Sequence, residues 1–155
     1  MLQLSDVGVE GRLAPFSAQV DAGLQYHLIG PNGAGKSTLL ARLAGMQPGG
    51  GEILLSGQPL AGYQGNELAL HRAYLSQQQP PVALMPVFQY LALHQPAGAA
   101  EAAVESTILY LCQRLKLMDK LPRMLTQLSG GEWQRVRLAS VLLQVWPTDN
   151  PYSQL

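Results

Sequence analysis

The sequence predicts an α/β fold in which a helical subdomain interrupts a core of strands and helices. Three observations carry this reading. An apolar run, Leu24–Ile29, leads straight into a glycine-rich loop, and a segment with a one-sided apolar pattern follows the loop. Shorter strand-like runs separated by turn residues come before it. After Gln77 the texture changes: Pro80, Pro81 and Pro86 break the chain and helical spacing takes over. With 155 residues, one domain is the expectation.

In chain order, residues 1–29 read as short strands punctuated by Gly8, Gly11, Pro15 and Gly23, with Leu24–Ile29 a buried strand. A helix starts at Lys36, with Leu39, Leu43 and Met46 on one face and Leu40 and Ala44 beside them. Gly49-Gly50-Gly51 ends it. Glu52–Leu55 is a strand, Gly57-Gln58-Pro59 a turn, and a short helix over Glu67–His71 leads to the strand Ala73–Ser76. Pro96–Ala103, rich in Ala and Gly, reads as a loose connection. Val104, Ile108, Leu111, Cys112 and Leu115 then form one apolar stripe. These features place the helical subdomain at 78–127. No internal repeat is visible.

Composition narrows the function. Apolar residues make up 47% of the chain and charged residues 13%, which argues for a packed core. Ten basic residues balance ten acidic ones, so there is no electrostatic case for nucleic acid. The single cysteine, Cys112, excludes an internal disulfide and fits a reducing compartment. Met1–Asp6 lacks the features of a signal peptide, and no apolar run approaches the roughly 20 residues that cross a bilayer. A cytoplasmic chain that meets the membrane through another protein is expected. His27, His71 and His94 are too widely spaced for a metal site.

Gly30-Pro31-Asn32-Gly33-Ala34-Gly35-Lys36-Ser37 fits the phosphate-loop pattern G-x-x-x-x-G-K-[ST] at every fixed position. Glycines let the backbone curl so that successive N–H groups converge on phosphate oxygens. Lys36 brings charge to the terminal phosphates, Ser37 offers a hydroxyl to magnesium, and the helix adds the favourable end of its dipole. Downstream, Ser129 and Glu132 satisfy the capping-box spacing at a helix start. Two glycines, Gly130 and Gly131, leave bare N–H groups there for an anion.

Leu128-Ser129-Gly130-Gly131-Glu132-Trp133-Gln134-Arg135-Val136 resembles the signature sequence of ATP-binding cassette (ABC) ATPases, and it lies downstream of a phosphate loop as in that family. The resemblance implies a P-loop NTPase of the ABC type, with N-terminal antiparallel β strands, a parallel core sheet and an inserted helical subdomain. It implies ATP and Mg2+ as cofactors. Gly30, Pro31, Asn32, Gly33, Ala34, Gly35, Lys36, Ser37 and Thr38 would hold the phosphates. Ser129, Gly130 and Gly131 would reach the γ-phosphate of a nucleotide held by the opposite subunit. Gln77 stands where the family keeps its Q-loop glutamine, which senses magnesium and attacking water; Gln78 and Gln79 follow directly, so the register could fall one residue later. Lys36 and Gln77 are the catalytic candidates, and Ser37 and Gln77 the metal candidates. Glu132 stands where glutamine is most common. Arg135 and Arg137 read as solvated or surface-paired and are left outside the site. For an aromatic contact to adenine, Leu13 and Phe16 are closest, and Tyr26 lies too near the phosphate loop.

The implied division is an ATP-binding core over 1–77, the helical subdomain over 78–127 and a signature helix over 128–146. Leu68–Gln79, Gly30–Met46 and Leu128–Ala139 further resemble the ATPase subunits of vitamin B12 importers. That implies a homodimer of ATPase subunits and two membrane-spanning permease subunits at the cytoplasmic face of a bacterial inner membrane, served indirectly by a periplasmic binding protein. Val82, Leu84, Met85, Val87, Phe88 and Tyr90 would either line a groove for a permease helix or simply pack the helical subdomain. The alternatives are an iron–siderophore importer, a non-transport ABC ATPase and a remnant that only binds nucleotide.

After Ser129 the acidic residues are Glu132 and Asp149, and the prolines around Asp149 exclude a central strand. The family's hydrolytic carboxylates are therefore expected to be absent, with the chain cut before the Walker B strand and unable to turn over ATP alone. The helix from Gly130 is apolar nearly all round through Leu138, Val141, Leu142, Leu143, Val145 and Trp146. About four of these are expected to stay wet, which would make the chain unstable.

Overall fold

A computed structural model describes residues 1–77, 79–81 and 83–153, which form two compact units, residues 1–68 and 69–153. The first unit is a four-stranded sheet with helices. Strands β1 (Leu2–Val9), β2 (Leu13–Val20), β3 (Gly50–Leu55) and β4 (Gln58–Pro59) lie in the order β2-β1-β3-β4. Every pairing is antiparallel, with Leu4 opposite both Ala18 and Ile53. Leu4 and Val7 both face the core although they stand three positions apart. A plain strand alternates with period two, so one position must be absorbed. Asp6 absorbs it at φ 49°, with its N–H donating to Ser17 Oγ at 2.8 Å. On the neighbouring strand Gly51 (φ 77°) makes room for the bulge: a Cβ there would lie 2.2 Å from the Asp6 carbonyl oxygen.

Helix α1 (Lys36–Leu43) and α2 (Gly65–His71) follow the expected pattern in part. Leu39 is buried with Leu4, Val7, Ile53, Leu60 and Leu68, Leu43 packs beside them, and Ala44 is also buried. Leu40 and Met46 are exposed. The helix stops sooner than Gly49–Gly51, because Gly45 takes φ 71° and Met46 N–H returns to Ala41 O at 2.9 Å. That is the left-handed turn glycine favours after a helix.

Two expected strands are not strands here. Leu24–Ile29 and Ala73–Ser76 join no ladder, and Ile29 is 89% exposed. An extended segment becomes a strand only by exchanging hydrogen bonds with a neighbour, and the ladders among the described residues are those of the antiparallel sheet. The expected parallel ladder is not among them.

The second unit is helical. Helices α3 (Val87–Ala92), α4 (Glu101–Arg114) and α5 (Gly130–Gln144) bury Val87, Leu91, Val104, Leu111, Cys112, Leu117, Leu125, Val136, Ala139 and Leu143 together. The stripe read from the sequence is this core's α4 face: Val104, Leu111 and Cys112 are buried, with Ile108 and Leu115 packed against them. Burial pushes the Cys112 thiol up to about 11. The loose connection is shorter than expected, since α4 already begins at Glu101. Val87 is fully buried and so cannot line a groove, whereas Leu84 and Phe88 are exposed. The groove position Val82 and the alternative register at Gln78 lie outside the described residues.

The expectation of wet side chains on α5 is also corrected. Leu143 is buried, and Leu138, Val141, Leu142, Val145 and Trp146 are each half-buried. The cover comes from α4 and from the turns after the helix. Tyr110 meets the Trp146 ring with centroids 5.7 Å apart, and Asn150, almost fully buried, donates to Leu70 O and Gln144 O at 2.7 and 3.1 Å. The segment from Trp146 to Pro151 forms turns, as its prolines require.

Candidate functional site

The phosphate loop occupies Gly30–Ser37 in the first unit. Gly33 and Gly35 adopt φ 83° and 92°, and Ala34 N–H turns back to Pro31 O at 3.2 Å, so the backbone curls as the motif demands. Gly35 is the N-cap of α1. The helix's first backbone bond is Leu39 N–H to Gly35 O at 2.8 Å, and no side chain caps the turn before it. An uncapped helix end at the mouth of such a loop suits an anion. The Lys36 ammonium spans the mouth, donating to Gly30 O at 2.5 Å and Pro31 O at 2.7 Å. Ser37 is exposed and Thr38 half-buried on the first turn. Leu13 lies against this loop, its Cδ1 3.0 Å from where a Cβ on Gly35 would stand, while Phe16 is exposed farther along β2.

In the second unit, Ser129 caps α5. Its Oγ accepts from Glu132 N–H at 3.2 Å, and Glu132 Oε2 accepts from Ser129 N–H at 2.8 Å, completing the capping box. Ser129, Gly130 and Gly131 are exposed, and a Cβ on either glycine would meet nothing within 4 Å. The helix start is thus open to a phosphate-sized group. The hydrogen bond from Ser129 N–H holds the Glu132 carboxyl below its ordinary value of 4.5, helped by Lys120, whose Nζ lies 3.5 Å from Oε1. Because the native value is depressed, the stability this carboxylate contributes is complete above about pH 4.5 and drains away as pH falls through the native value. Glu132→Gln should therefore lower the melting temperature at pH 6, and the gap to the parent should shrink towards pH 3. A gap independent of pH would contradict this assignment.

Gln77 is exposed at a bend in the second unit. The segment carrying it is held by a residue the sequence reading set aside. Arg137 is buried, not solvated, and its Nη2 donates to Ser76 O (2.9 Å), Ser76 Oγ (2.8 Å) and Gln77 O (3.4 Å). One turn earlier on α5, Trp133 Nε1 donates to Gln79 O at 2.6 Å. The signal was available: Trp133, Arg137 and the small Ser140 recur along one helix face, an inward pattern that a solvated arginine does not need. No group of His, Cys, Asp or Glu among the described residues could hold a metal ion. The metal candidates remain the hydroxyl of Ser37 and the amide of Gln77.

Comparison with known proteins places this geometry. The sequence profile described as ABC transporter matches residues 13–149. The chain is 68% identical over all 155 residues to the vitamin B12 import ATP-binding protein BtuD of Yersinia enterocolitica, covering 61% of that protein. It is 59% identical over 154 residues to the protein of that name from Pectobacterium atrosepticum, 99% of this chain and 62% of the relative. The chain therefore spans less than two thirds of the length of these relatives. Among solved structures, an ATP-binding subunit of an ABC transporter superposes with a TM-score of 0.82 at 26% identity, over 93% of this chain and 62% of that one. A nucleotide-free ATP-binding cassette, at 22% identity, reaches 0.74 over 93% of this chain and 65% of its own, and shares the fold. With the phosphate loop, the capped signature helix and a profile match over most of its length, the chain belongs to the ABC transporter family of ATP-binding proteins.

Proposed function

We propose that these residues are the nucleotide-gripping part of an ATPase subunit that drives vitamin B12 import. The observation that carries the reading is the 68% identity, over a match that spans all 155 residues, to a protein of that name. Lys36 and the backbone of Gly30–Thr38 hold the triphosphate of ATP, and Ser129, Gly130 and Gly131 close on the nucleotide of a second copy in a homodimer. The oxygen donors of Ser37 and Gln77 suit a hard cation, so magnesium is the ion assigned to them. When bound, it neutralises charge on the phosphate oxygens. Lys36 contributes a second positive charge, and Gln77, able to donate and accept, orients water.

The functional division follows: an ATP-binding core over 1–77, a helical subdomain over 78–127 and the signature helix over 128–146. We assign residues 1–155 binding rather than turnover. After Ser129 their acidic groups are Glu132, engaged in the cap, and Asp149, buried in a turn. No helix among the described residues is long and apolar enough to cross a membrane. By the likeness to import ATP-binding proteins, two permease subunits would carry the substrate and a periplasmic protein would deliver it. Exposed Leu84 and Phe88 offer a permease helix a place to dock at the cytoplasmic face of the membrane.

Grafting residues 1–155 in place of the matching part of the Yersinia enterocolitica protein tests the reading in cells lacking that protein. Restored cobalamin uptake supports it. Restored iron–siderophore uptake in its place moves the assignment to that importer class, and failure of a folded chimera to support either overturns it.

A further inference from the structure

The carbonyls of Ala69, Arg72, Ser76, Gln77 and Gln79 all accept hydrogen bonds from side chains of α5. Gln144 Nε2 donates to Ala69 O and Arg72 O at 2.7 and 3.1 Å, Arg137 to Ser76 and Gln77, and Trp133 to Gln79. Residues 133, 137 and 144 share one face of α5. Side chains of a single helix thus bind the carbonyl oxygens of a segment that joins no strand. The two bonds nearest the helix start bracket Gln77. They also lie close to the signature cap, because Trp133 N–H makes the helix's first backbone bond, to Ser129 O at 2.9 Å. The indole is steadied in turn by Tyr90, at a centroid distance of 5.1 Å.

We infer that Arg137 and Trp133 are positioning residues that clasp the Gln77 segment to the signature helix, so that Gln77 and the Ser129 cap move as one body when nucleotide binds. The inference rests on the reading of Gln77 as the residue that senses nucleotide. The clasp addresses main-chain oxygens of Ser76, Gln77 and Gln79 and the Ser76 hydroxyl, so it fixes where the Gln77 side chain begins. The guanidinium is buried, and a charged donor bonded to carbonyls away from water is costly to release. A rigid link of this kind transmits displacement between the two ends of the site. All three bonds leave one guanidinium nitrogen, Nη2, and lysine in its place keeps the charge on a shorter side chain that brings its ammonium less fully to these oxygens.

The test uses the 155-residue chain with Trp146→Phe, which leaves Trp133 as the only indole. Adding magnesium-ATP should change Trp133 emission. Arg137→Gln should reduce that amplitude at least about fivefold, the scale of an ordinary coupling between sites, while ATP affinity shifts less than about twofold. Arg137→Lys should fall between. A residue that served only the fold would move affinity and amplitude together or neither. Full amplitude in Arg137→Gln overturns the inference. Acrylamide quenching of Trp133 without nucleotide is the second arm. It should rise about twofold in Arg137→Gln as the segment loosens, and an unchanged value removes the clasp. If the parent binds no ATP, the functional reading fails while this arm still decides the clasp. If Arg137→Gln does not fold, Ser76→Ala takes its place, removing the hydroxyl acceptor alone, and must reduce the amplitude for the inference to stand.

Discussion

Lys36→Ala should lower ATP affinity about 100-fold, corresponding to roughly 3 kcal/mol for a charged hydrogen-bonding group removed from a phosphate site. The ammonium bridges Gly30 O and Pro31 O across the loop mouth. Phosphate oxygens arriving at that mouth would offer the ammonium full charges in exchange for two neutral carbonyls, and that exchange strengthens the contact. The loss should concentrate on the β- and γ-phosphates, so discrimination between ATP and AMP collapses as well. Stability should change far less. The two carbonyls remain open to water and alanine favours helix, so the melting midpoint should move by no more than about 5 °C. Calorimetric titration of parent and variant, paired with thermal melts, separates the two effects. An affinity within threefold of the parent would mean that Lys36 does not face the nucleotide, and the assignment of the loop would fail with it.

What could be read from the sequence was what is encoded over short range. The phosphate loop, the capping box at Ser129 and the α4 stripe each depend on residues within a turn or two of one another, and each appears in the structure with its expected geometry. What failed depended on distant partners. Leu24–Ile29 has a strand's composition, yet a strand exists only where another backbone lies alongside. Ala73–Ser76 likewise had the right residues, and its carbonyl at Ser76 went to Arg137. Arg137 was misjudged for the same reason: charge predicts solvation until a buried set of acceptors is known. The extra residue at Asp6 could not be seen either, since the spacing of three from Leu4 to Val7 fits a helix and not the strand that forms there. The cover over α5 came from Tyr110 and Asn150, neither of which looks like a core residue in sequence.

Gly35→Ala should be the most damaging single change in the loop, and comparison with Gly33→Ala explains why. Both glycines have positive φ, 92° and 83°, so each alanine pays a conformational cost of about 1–2 kcal/mol. Their surroundings differ. A Cβ on Gly33 meets nothing within 4 Å, whereas one on Gly35 would stand 2.7 Å from Arg12 O, 3.0 Å from Leu13 Cδ1 and 3.4 Å from Leu13 Cα. Leucine's methyl can rotate away. The Arg12 carbonyl belongs to the backbone entering β2 and cannot move without pulling that strand from β1. The clash should add about 1–3 kcal/mol, for a total of about 2–5 kcal/mol and a fall in melting temperature on the order of 10–20 °C for a unit of this size. Relief by shifting the loop instead would misplace Lys36, the next residue, so ATP binding should be undetectable in either event. Gly33→Ala should melt within about 8 °C of the parent. Parallel melts and ATP titrations of the two variants read the difference directly. Equal losses in both would show that backbone conformation alone sets the cost, and that the closeness of Gly35 to Arg12 has no energetic weight.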